Sequence, residues 1–248
     1  MRLMCGAIIF LFFSLFKITA QPIASIIVAM HIEPPFSDIV DGKFIGENID
    51  IANALAAKTN KKAQFIYCPP ARCFALLQTG QADMMIAVRK TAVRENFLLY
   101  LEPAIKIQHL PLRFYIRANN RIRLKSYEDL QPLKVGVLRG ASYFDKFDHD
   151  TQLTKIPLSS YQQLISMLLK GRIDTFLERE ESITPWVDQE VYKSQIKLAT
   201  FSYDNSVGSY IAMAKKSPLS AEVLQFSQAL QALSDSGELA DILKKVRN

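Results

Sequence analysis

Short apolar runs alternate with segments of helical periodicity along the whole chain. In the first part, residues 26–30, 65–67 and 84–88 are apolar runs bounded by turn residues, which predicts buried strands. Between them, residues 46–60 repeat apolar side chains at helical spacing, and residues 72–77 predict a shorter helix. This strand–helix order predicts a parallel sheet with right-handed crossovers.

The rest of the chain repeats the alternation of strands and helices. A strand at residues 135–138 is followed by Arg139 and Gly140, which predict the start of a helix. The other predicted elements are a strand at 112–116, a helix at 160–170, a strand at 173–177, a strand at 210–214, a helix at 220–233 and a last helix after Gly237.

Two halves of like architecture predict an α/β fold in which two doubly wound lobes enclose a cleft. The 248 residues suffice for two lobes of modest size. In open α/β sheets, ligands bind beyond the carboxyl ends of the strands. Candidate ligand-binding residues therefore follow the predicted strands, at residues 33–36, 89–94, 139–142 and 178–181.

The first twenty residues have the pattern of a secretory signal peptide. Arg2 gives a positive start, residues 3–16 are nearly all apolar, and Thr19 and Ala20 end the segment with small side chains. The alternative is a membrane anchor, but the apolar run is shorter than the roughly 20 residues that span a bilayer. We therefore expect residues 1–20 to be removed and the mature protein to be periplasmic.

The cysteines fit an exported protein. Cys5 leaves with the signal peptide, and the pair Cys68 and Cys73 is too closely spaced for a zinc site without a second pair. An oxidising compartment favours a local disulfide between them. The sequence has no phosphate loop, Gly-x-Ser-x-Gly motif or metal-ligand spacing, so we predict no catalytic residue, metal or cofactor.

The net charge of the chain does not point to a further class of partner. The formal net charge of +6 falls to about +4 when Arg2 and Lys17 leave with the signal peptide. The basic residues are scattered, without the stripe or patch typical of nucleic-acid-binding proteins. No nucleic-acid partner is therefore expected.

Six short motifs then follow one another in a fixed order. They are Glu-Pro-Pro-Phe at 33–36, Gly-x-x-x-Asp-Ile-Ala at 46–52, Leu-x-x-Gly-x-x-Asp at 77–83, Thr-x-x-Arg at 91–94, Gly-x-x-Asp at 171–174 and a strand and turn at 212–218. In this order and spacing, the chain resembles the family 3 extracellular solute-binding proteins, the polar amino acid binders of bacterial uptake systems. The resemblance covers nearly the whole mature chain.

The resemblance implies a two-lobed, type II periplasmic binding protein-like fold. The chain would cross between the lobes near Leu112 and near Val207. One lobe would then comprise residues 21–112 and 207–248, and the other residues 113–206. A small-molecule ligand, an amino acid or an organic acid, would lie in the cleft of a monomer, and the implied partner is a membrane permease or a membrane sensor.

The Thr-x-x-Arg turn gives the leading candidates for ligand contact. The resemblance implies that Arg94 holds a ligand carboxylate by a two-pronged bond, which a planar guanidinium makes better than an ammonium group. The alternative is a surface arginine paired with Glu95. Thr91 offers a hydroxyl on the same turn. Arg89 either adds a second positive group or caps the rim of the cleft.

Four further candidates lie in the predicted loops. Phe36 follows two prolines that stiffen its loop, and it is either an aromatic wall for the ligand or a core residue. Glu33 is a possible acceptor at the sheet edge. On the other lobe, Ser142 lies where the predicted helix start offers backbone N–H groups to an anion, and Arg139 precedes it.

One position departs from the family pattern. Amino acid binders of this family usually carry an aspartate that pairs with the α-ammonium group of the ligand, and that place falls on Arg179. A shift of one residue would let Glu178 replace the aspartate. Otherwise the ligand lacks an ammonium group and is a carboxylate, a sugar acid or a peptide-like compound.

Three function classes follow from these observations. The leading one is a binding protein for an uptake system. The second is a ligand sensor that signals to a membrane protein. The third is a periplasmic dehydratase on the same fold, in which a desolvated Glu178 would protonate a leaving hydroxyl group.

Overall fold

The structure, a computed structural model, describes residues 24–109, 111–204 and 206–245, so the predicted signal peptide lies outside it. The strands are β1 (Ser25–Met30), β2 (Asp38–Val40), β3 (Lys43–Ile45), β4 (Lys62–Tyr67), β5 (Met84–Arg89), β6 (Leu98–Tyr100), β7 (Lys106–Gln108), β8 (Leu112–Arg117), β9 (Lys134–Leu138), β10 (Thr154–Leu158), β11 (Thr175–Arg179), β12 (Ile196–Tyr203) and β13 (Val207–Ala214). The α-helices are α1 (Glu47–Lys58), α2 (Pro70–Thr79), α3 (Ala92–Glu95), α4 (Asp145–His149), α5 (Tyr161–Leu169), α6 (Glu180–Val187), α7 (Glu190–Lys193), α8 (Val223–Asp235) and α9 (Glu238–Lys245). The helices in these ranges all lack the length or the hydrophobicity of a membrane-spanning segment.

The first sheet combines strands from both ends of the chain. Its order is β4-β1-β5-β13-β6, and β7 also pairs with β13. β4, β1 and β5 are parallel, as the strand–helix order predicted. β13 runs antiparallel to β5, β6 and β7. The short strands β6 and β7 have only three residues each, too few to show a periodic pattern in the sequence.

The second sheet has the order β10-β9-β11-β8-β12. β10, β9 and β11 are parallel, whereas β8 and β12 are antiparallel additions. The sequence pattern did not predict β10 or β12, because both are edge strands with mostly half-buried or exposed side chains. The chain passes from the first sheet to the second between β7 and β8, and it returns between β12 and β13.

Helices bury an apolar stripe against both faces of each sheet. On the first sheet, α1 and α8 place Leu55 and Phe226 in a core with no measurable exposure. α5 covers one face of the second sheet with Leu164 and Leu168, which pack against Phe176. Burying one such side chain stabilises the fold by roughly 1.5–3 kcal/mol, so these stripes fix where the helices lie.

The predicted disulfide between Cys68 and Cys73 is confirmed. Both cysteines are buried, Cys68 directly after β4 and Cys73 inside α2. Pro69 and Pro70 lie between them and form the start of α2, where proline is well tolerated because its missing N–H has no helical partner. The bond therefore ties the end of β4 to the first turn of α2.

The helix start predicted at Arg139 and Gly140 is wrong. The helix α4 begins only at Asp145, and it has five residues. The carboxylate of Asp148 accepts hydrogen bonds from the Ser142 hydroxyl at 2.8 Å and from the Tyr143 N–H at 3.0 Å. These bonds satisfy the loop's donors without a helix.

Candidate functional site

A cleft between the two sheets forms a cavity of about 150 Å³. Both sheets contribute to its walls, so it lies where the predicted strand ends meet. Six of the eight residues predicted to contact a ligand line it: Glu33, Phe36, Arg89, Arg94, Ser142 and Glu178. Thr91 and Arg139 do not line the cavity, and the Arg139 side chain is exposed.

A β-bulge at the end of β5 directs this strand into the cleft. Ala87 has a φ of 62°, and the pairing of β5 with β13 shifts register between Tyr210 and Ala212. A non-glycine residue in this left-handed conformation costs of order 1–3 kcal/mol, which the surrounding sheet must offset. The bulge sharpens the local twist and brings Arg89 to the cavity wall.

Arg94 is held at the base of the cleft by backbone groups of both sheets. The Thr91 hydroxyl accepts a hydrogen bond from the Arg94 N–H at 3.3 Å and thereby caps α3. The guanidinium donates from Nη1 to the Arg89 carbonyl and from Nη2 to the Gly140 carbonyl, both at 2.9 Å. It also lies over the Phe74 ring, 4.1 Å from the ring centroid.

The alternative reading of Arg94 as a surface residue paired with Glu95 is wrong. Arg94 is 9% exposed, whereas the Glu95 carboxylate lies 3.8 Å from Lys90. Burial lowers the pKa of Arg94 to about 10, since desolvation outweighs the nearby Tyr100 and Asp148. The guanidinium therefore remains charged at neutral pH, with two uncharged carbonyls as its hydrogen-bond partners.

Glu33 joins the two sides of the cleft. Its carboxylate contacts the His31 ring at 2.9 Å and accepts a hydrogen bond from the Tyr161 hydroxyl at 3.4 Å. Burial alone would raise the pKa of Glu33. Hydrogen bonds from His31 and Ser182, together with the charges of His31 and Lys106, outweigh burial and lower this pKa. The Glu33 carboxylate is therefore ionised and already satisfied by protein donors.

The pKa of Glu178 is shifted in the opposite direction from that of Glu33. Glu178 is the fourth residue of β11, it is 8% exposed, and its carboxyl accepts a hydrogen bond from the Arg179 N–H at 2.9 Å. Burial and the negative charge of Glu33 raise the pKa of Glu178 to about 8, against the opposing effect of Arg179. At neutral pH this carboxyl is mostly protonated. The Arg179 guanidinium also lines the cavity, near Glu178 and Glu181.

Phe36 packs beneath a partly buried ion pair. The Lys106 ammonium lies 4.3 Å from the centroid of the Phe36 ring and 2.7 Å from the Glu47 carboxylate. Burial raises the pKa of Glu47, although Lys106 partly offsets this effect. Phe36 is 8% exposed and lines the cavity. It therefore serves both as a core residue and as a wall of the cleft.

The Gly140 backbone lies close to α2 on the opposite side of the cleft. It has a φ of +87°, and a Cβ at this position would lie 2.8 Å from the Ala71 Cα in the first turn of α2. Only glycine fits such a contact with backbone atoms. Gly140 is thus the residue that lets the second sheet's loop reach Arg94.

Sequence reasoning missed several polar residues of the cleft. Asn48 and Ser209 are buried cavity residues, and the Asn48 Oδ1 and Ser209 Oγ atoms have no hydrogen-bond partner among the described residues. Each lies in phase with core positions, Asn48 with Ile51 on α1 and Ser209 with Ile211 on β13. A polar residue in phase with an apolar stripe is the sequence signal that could have found them.

The arrangement can bind a small polar molecule with at least one anionic group. It offers a charged guanidinium, unpaired hydroxyl and amide oxygens, and aromatic walls in a partly enclosed cavity. Over the described ranges, no group of three or more His, Cys, Asp or Glu side chains could hold a metal ion.

Comparison with solved structures shows the fold. An ancestral arginine-binding protein bound to arginine has a TM-score of 0.75 and 22% identity, with 91% of this chain and 99% of that chain covered. A Salmonella typhimurium periplasmic binding protein with high arginine specificity has a TM-score of 0.74 and 19% identity, covering 90% and 99%. The GluR0 ligand-binding core from Nostoc punctiforme in complex with L-glutamate has a TM-score of 0.70 and 17% identity, covering 89% and 98%. The chain therefore has the two-lobed α/β fold of periplasmic amino acid-binding proteins.

Comparison with curated proteins finds no significant match. The family model for bacterial extracellular solute-binding proteins, family 3, matches residues 26–247, which include every motif quoted from the sequence. The chain belongs to the bacterial extracellular solute-binding proteins, family 3.

Proposed function

We propose that the protein is a periplasmic binding protein that captures a small, carboxylate-bearing polar compound for a membrane uptake system. One observation carries the proposal: a buried, charged Arg94 lies at the base of the cleft with two backbone carbonyls as its hydrogen-bond partners. A guanidinium has five N–H donors, so donors remain for a ligand carboxylate. Such a charge-assisted bond is strong in a site that excludes water.

The proposal includes the division of the chain. Residues 1–20 act as a cleaved export signal, residues 21–112 and 207–248 form the first lobe, and residues 113–206 form the second. The position of the two sheet crossings supports this division. The monomeric protein closes on its ligand by rotation of one lobe against the other.

Amino acids and their analogues are the first compounds to consider as ligands. Solved structures of similar fold hold arginine, glutamine or glutamate. Glu178 is one residue from the place where the family has an aspartate for the ligand's ammonium group, and it lines the cavity. An ammonium ligand at this place would displace the proton that Glu178 carries at neutral pH.

Two alternatives share the cleft. A sensor would bind the same ligand and contact a membrane signalling protein in place of a permease. A dehydratase would use the protonated Glu178 as its acid, an assignment that the raised pKa of this carboxyl favours. Nuclear magnetic resonance of each compound with the protein over several hours separates the enzyme from the binding proteins, because only an enzyme converts the compound into a product with new resonances.

A thermal-shift panel of amino acids, organic acids and sugar acids tests the proposed function. A ligand at a hundredfold excess over its Kd stabilises the folded protein by about 2.7 kcal/mol. We expect at least one compound with a carboxylate to raise the melting temperature. Stabilisation only by uncharged compounds would contradict the proposal.

Gly140→Ala is expected to weaken ligand binding at least about tenfold, equivalent to about 1.4 kcal/mol. In the structure, the added methyl group would lie 2.8 Å from the Ala71 Cα, so this approach of the two sides of the cleft becomes less favourable. Small-angle scattering with the ligand should show a larger radius of gyration than the wild type. Gly237→Ala is the control, because it has a similar φ of +79° with no atom within 4 Å of the added methyl. Equal affinities of the two variants would contradict this role of Gly140.

A further inference from the structure

Three side chains form a row across neighbouring strands at the floor of the cleft. Ser209 on β13 is in direct register with Arg89 on β5 and with Lys106 on β7. Residues directly opposite each other in antiparallel strands point to the same face, with Cβ atoms about 5 Å apart. All three residues line the cavity. We call Arg89, Ser209 and Lys106 the strand row.

The hydroxyl at the centre of the strand row has no partner within the described part of the chain. Ser209 is 3% exposed, and its Oγ forms no hydrogen bond there. A buried hydroxyl without a partner costs roughly 1–3 kcal/mol. The Ser209 hydroxyl lies between two cationic side chains, so an anionic group bound there would accept a hydrogen bond from it.

The charges of the cleft do not balance. Lys106 is paired with Glu47 at 2.7 Å, and Arg179 lies near the carboxyl groups of Glu178 and Glu181. Glu33 is satisfied by His31 and Tyr161. No carboxylate of the described residues pairs with the Arg89 side chain, and the Arg94 hydrogen bonds go to uncharged carbonyls. Two positive charges therefore remain without an anionic partner in the cleft.

We propose that the strand row is a second anion-binding subsite, so that the preferred ligand carries two anionic groups, one at Arg94 and one between Arg89, Ser209 and Lys106. This inference rests on the proposed binding function and specifies its ligand class. A dicarboxylate would neutralise both guanidinium groups and give Ser209 an acceptor. A ligand with a cationic group at the strand row would instead add to the unbalanced positive charge.

Two isosteric pairs of compounds test the strand row at pH 7: L-glutamate against L-glutamine, and succinate against succinamate. Each pair differs by one carboxylate in place of an amide. Calorimetric titration of the wild type should show the dicarboxylate of at least one pair binding roughly ten- to a hundredfold more tightly than its amide. Arg89→Gln should abolish this preference. Ser209→Ala should weaken dicarboxylate binding severalfold without loss of stability, because it removes a hydroxyl that is unpaired in the free protein.

Arg172→Gln is the matched control, since this exposed arginine lies away from the cavity and the variant has the same change in charge. It should keep the preference for the dicarboxylate. Equal binding of acid and amide by the wild type, or a preserved preference in Arg89→Gln, would overturn the proposed subsite at the strand row. The proposed carboxylate site at Arg94 would be unaffected by that result. If no carboxylate in the wider thermal-shift panel binds, the proposed function fails as well.

Discussion

Arg94→Ala is expected to weaken binding of a carboxylate ligand by about 2–5 kcal/mol, or roughly 30- to several-thousand-fold in Kd. The variant leaves the ligand's anionic group in a partly enclosed cavity without its charged partner. Arg94→Lys should recover only part of this loss, because an ammonium group cannot make the planar two-pronged contact. Calorimetric titration with the compound identified in the thermal-shift panel measures both losses.

Folding stability must be measured beside affinity in these variants. Alanine at this position also removes the bonds to the Arg89 and Gly140 carbonyls and the contact with the Phe74 ring. We expect a loss of about 1–3 kcal/mol in the free energy of unfolding, as for other buried hydrogen-bonded groups. Arg172→Ala should leave binding and stability unchanged. A folded Arg94→Ala variant that binds within twofold of the wild type would contradict the carboxylate site.

Glu178→Gln is expected to be more stable than the wild type above pH 8 and about equally stable near pH 5. The pKa of Glu178 is raised to about 8 in the folded protein, so the native state holds this proton where the unfolded chain has released it. The stability that the protonated carboxyl contributes is complete at low pH. It is lost as the pH rises from the ordinary glutamate value through about 8.

The glutamine side chain has nearly the same shape as the protonated carboxyl group but does not titrate. The difference between the variant and the wild type should grow to about 2–5 kcal/mol by pH 9, at 1.36 kcal/mol for each unit of pKa. Urea denaturation at pH 5 and pH 9 measures it. Glu180→Gln is the control, because Glu180 is exposed at the start of α6. Parallel pH profiles of wild type and Glu178→Gln would contradict the buried, protonated carboxyl.

Most of the site's features that the sequence did not predict depend on contacts across the cleft between residues far apart in the chain. The Gly140 carbonyl bonds to Arg94 from 46 positions away, and the Tyr161 hydroxyl reaches Glu33 across a separation of 128. Local periodicity carries no information about such pairs. Gly140 illustrates the consequence: its sequence context predicted a helix start, but the close approach of Ala71 explains its conformation.

From the sequence alone, the strand–helix order predicted the parallel strands β1, β4 and β5 of the first sheet and β9 and β11 of the second, and short spacings indicated the Cys68–Cys73 disulfide and the family. Each of these depends on local periodicity or short spacing, which burial on one face of a strand or helix imposes on neighbouring residues. The tertiary structure was needed to show that Arg94 lies between two carbonyls, that the pKa of Glu33 is lowered while that of Glu178 is raised, and that Ser209 lies between two cationic side chains. The reason is physical: desolvation, charge pairing and hydrogen-bond satisfaction depend on which distant residues meet in the cleft.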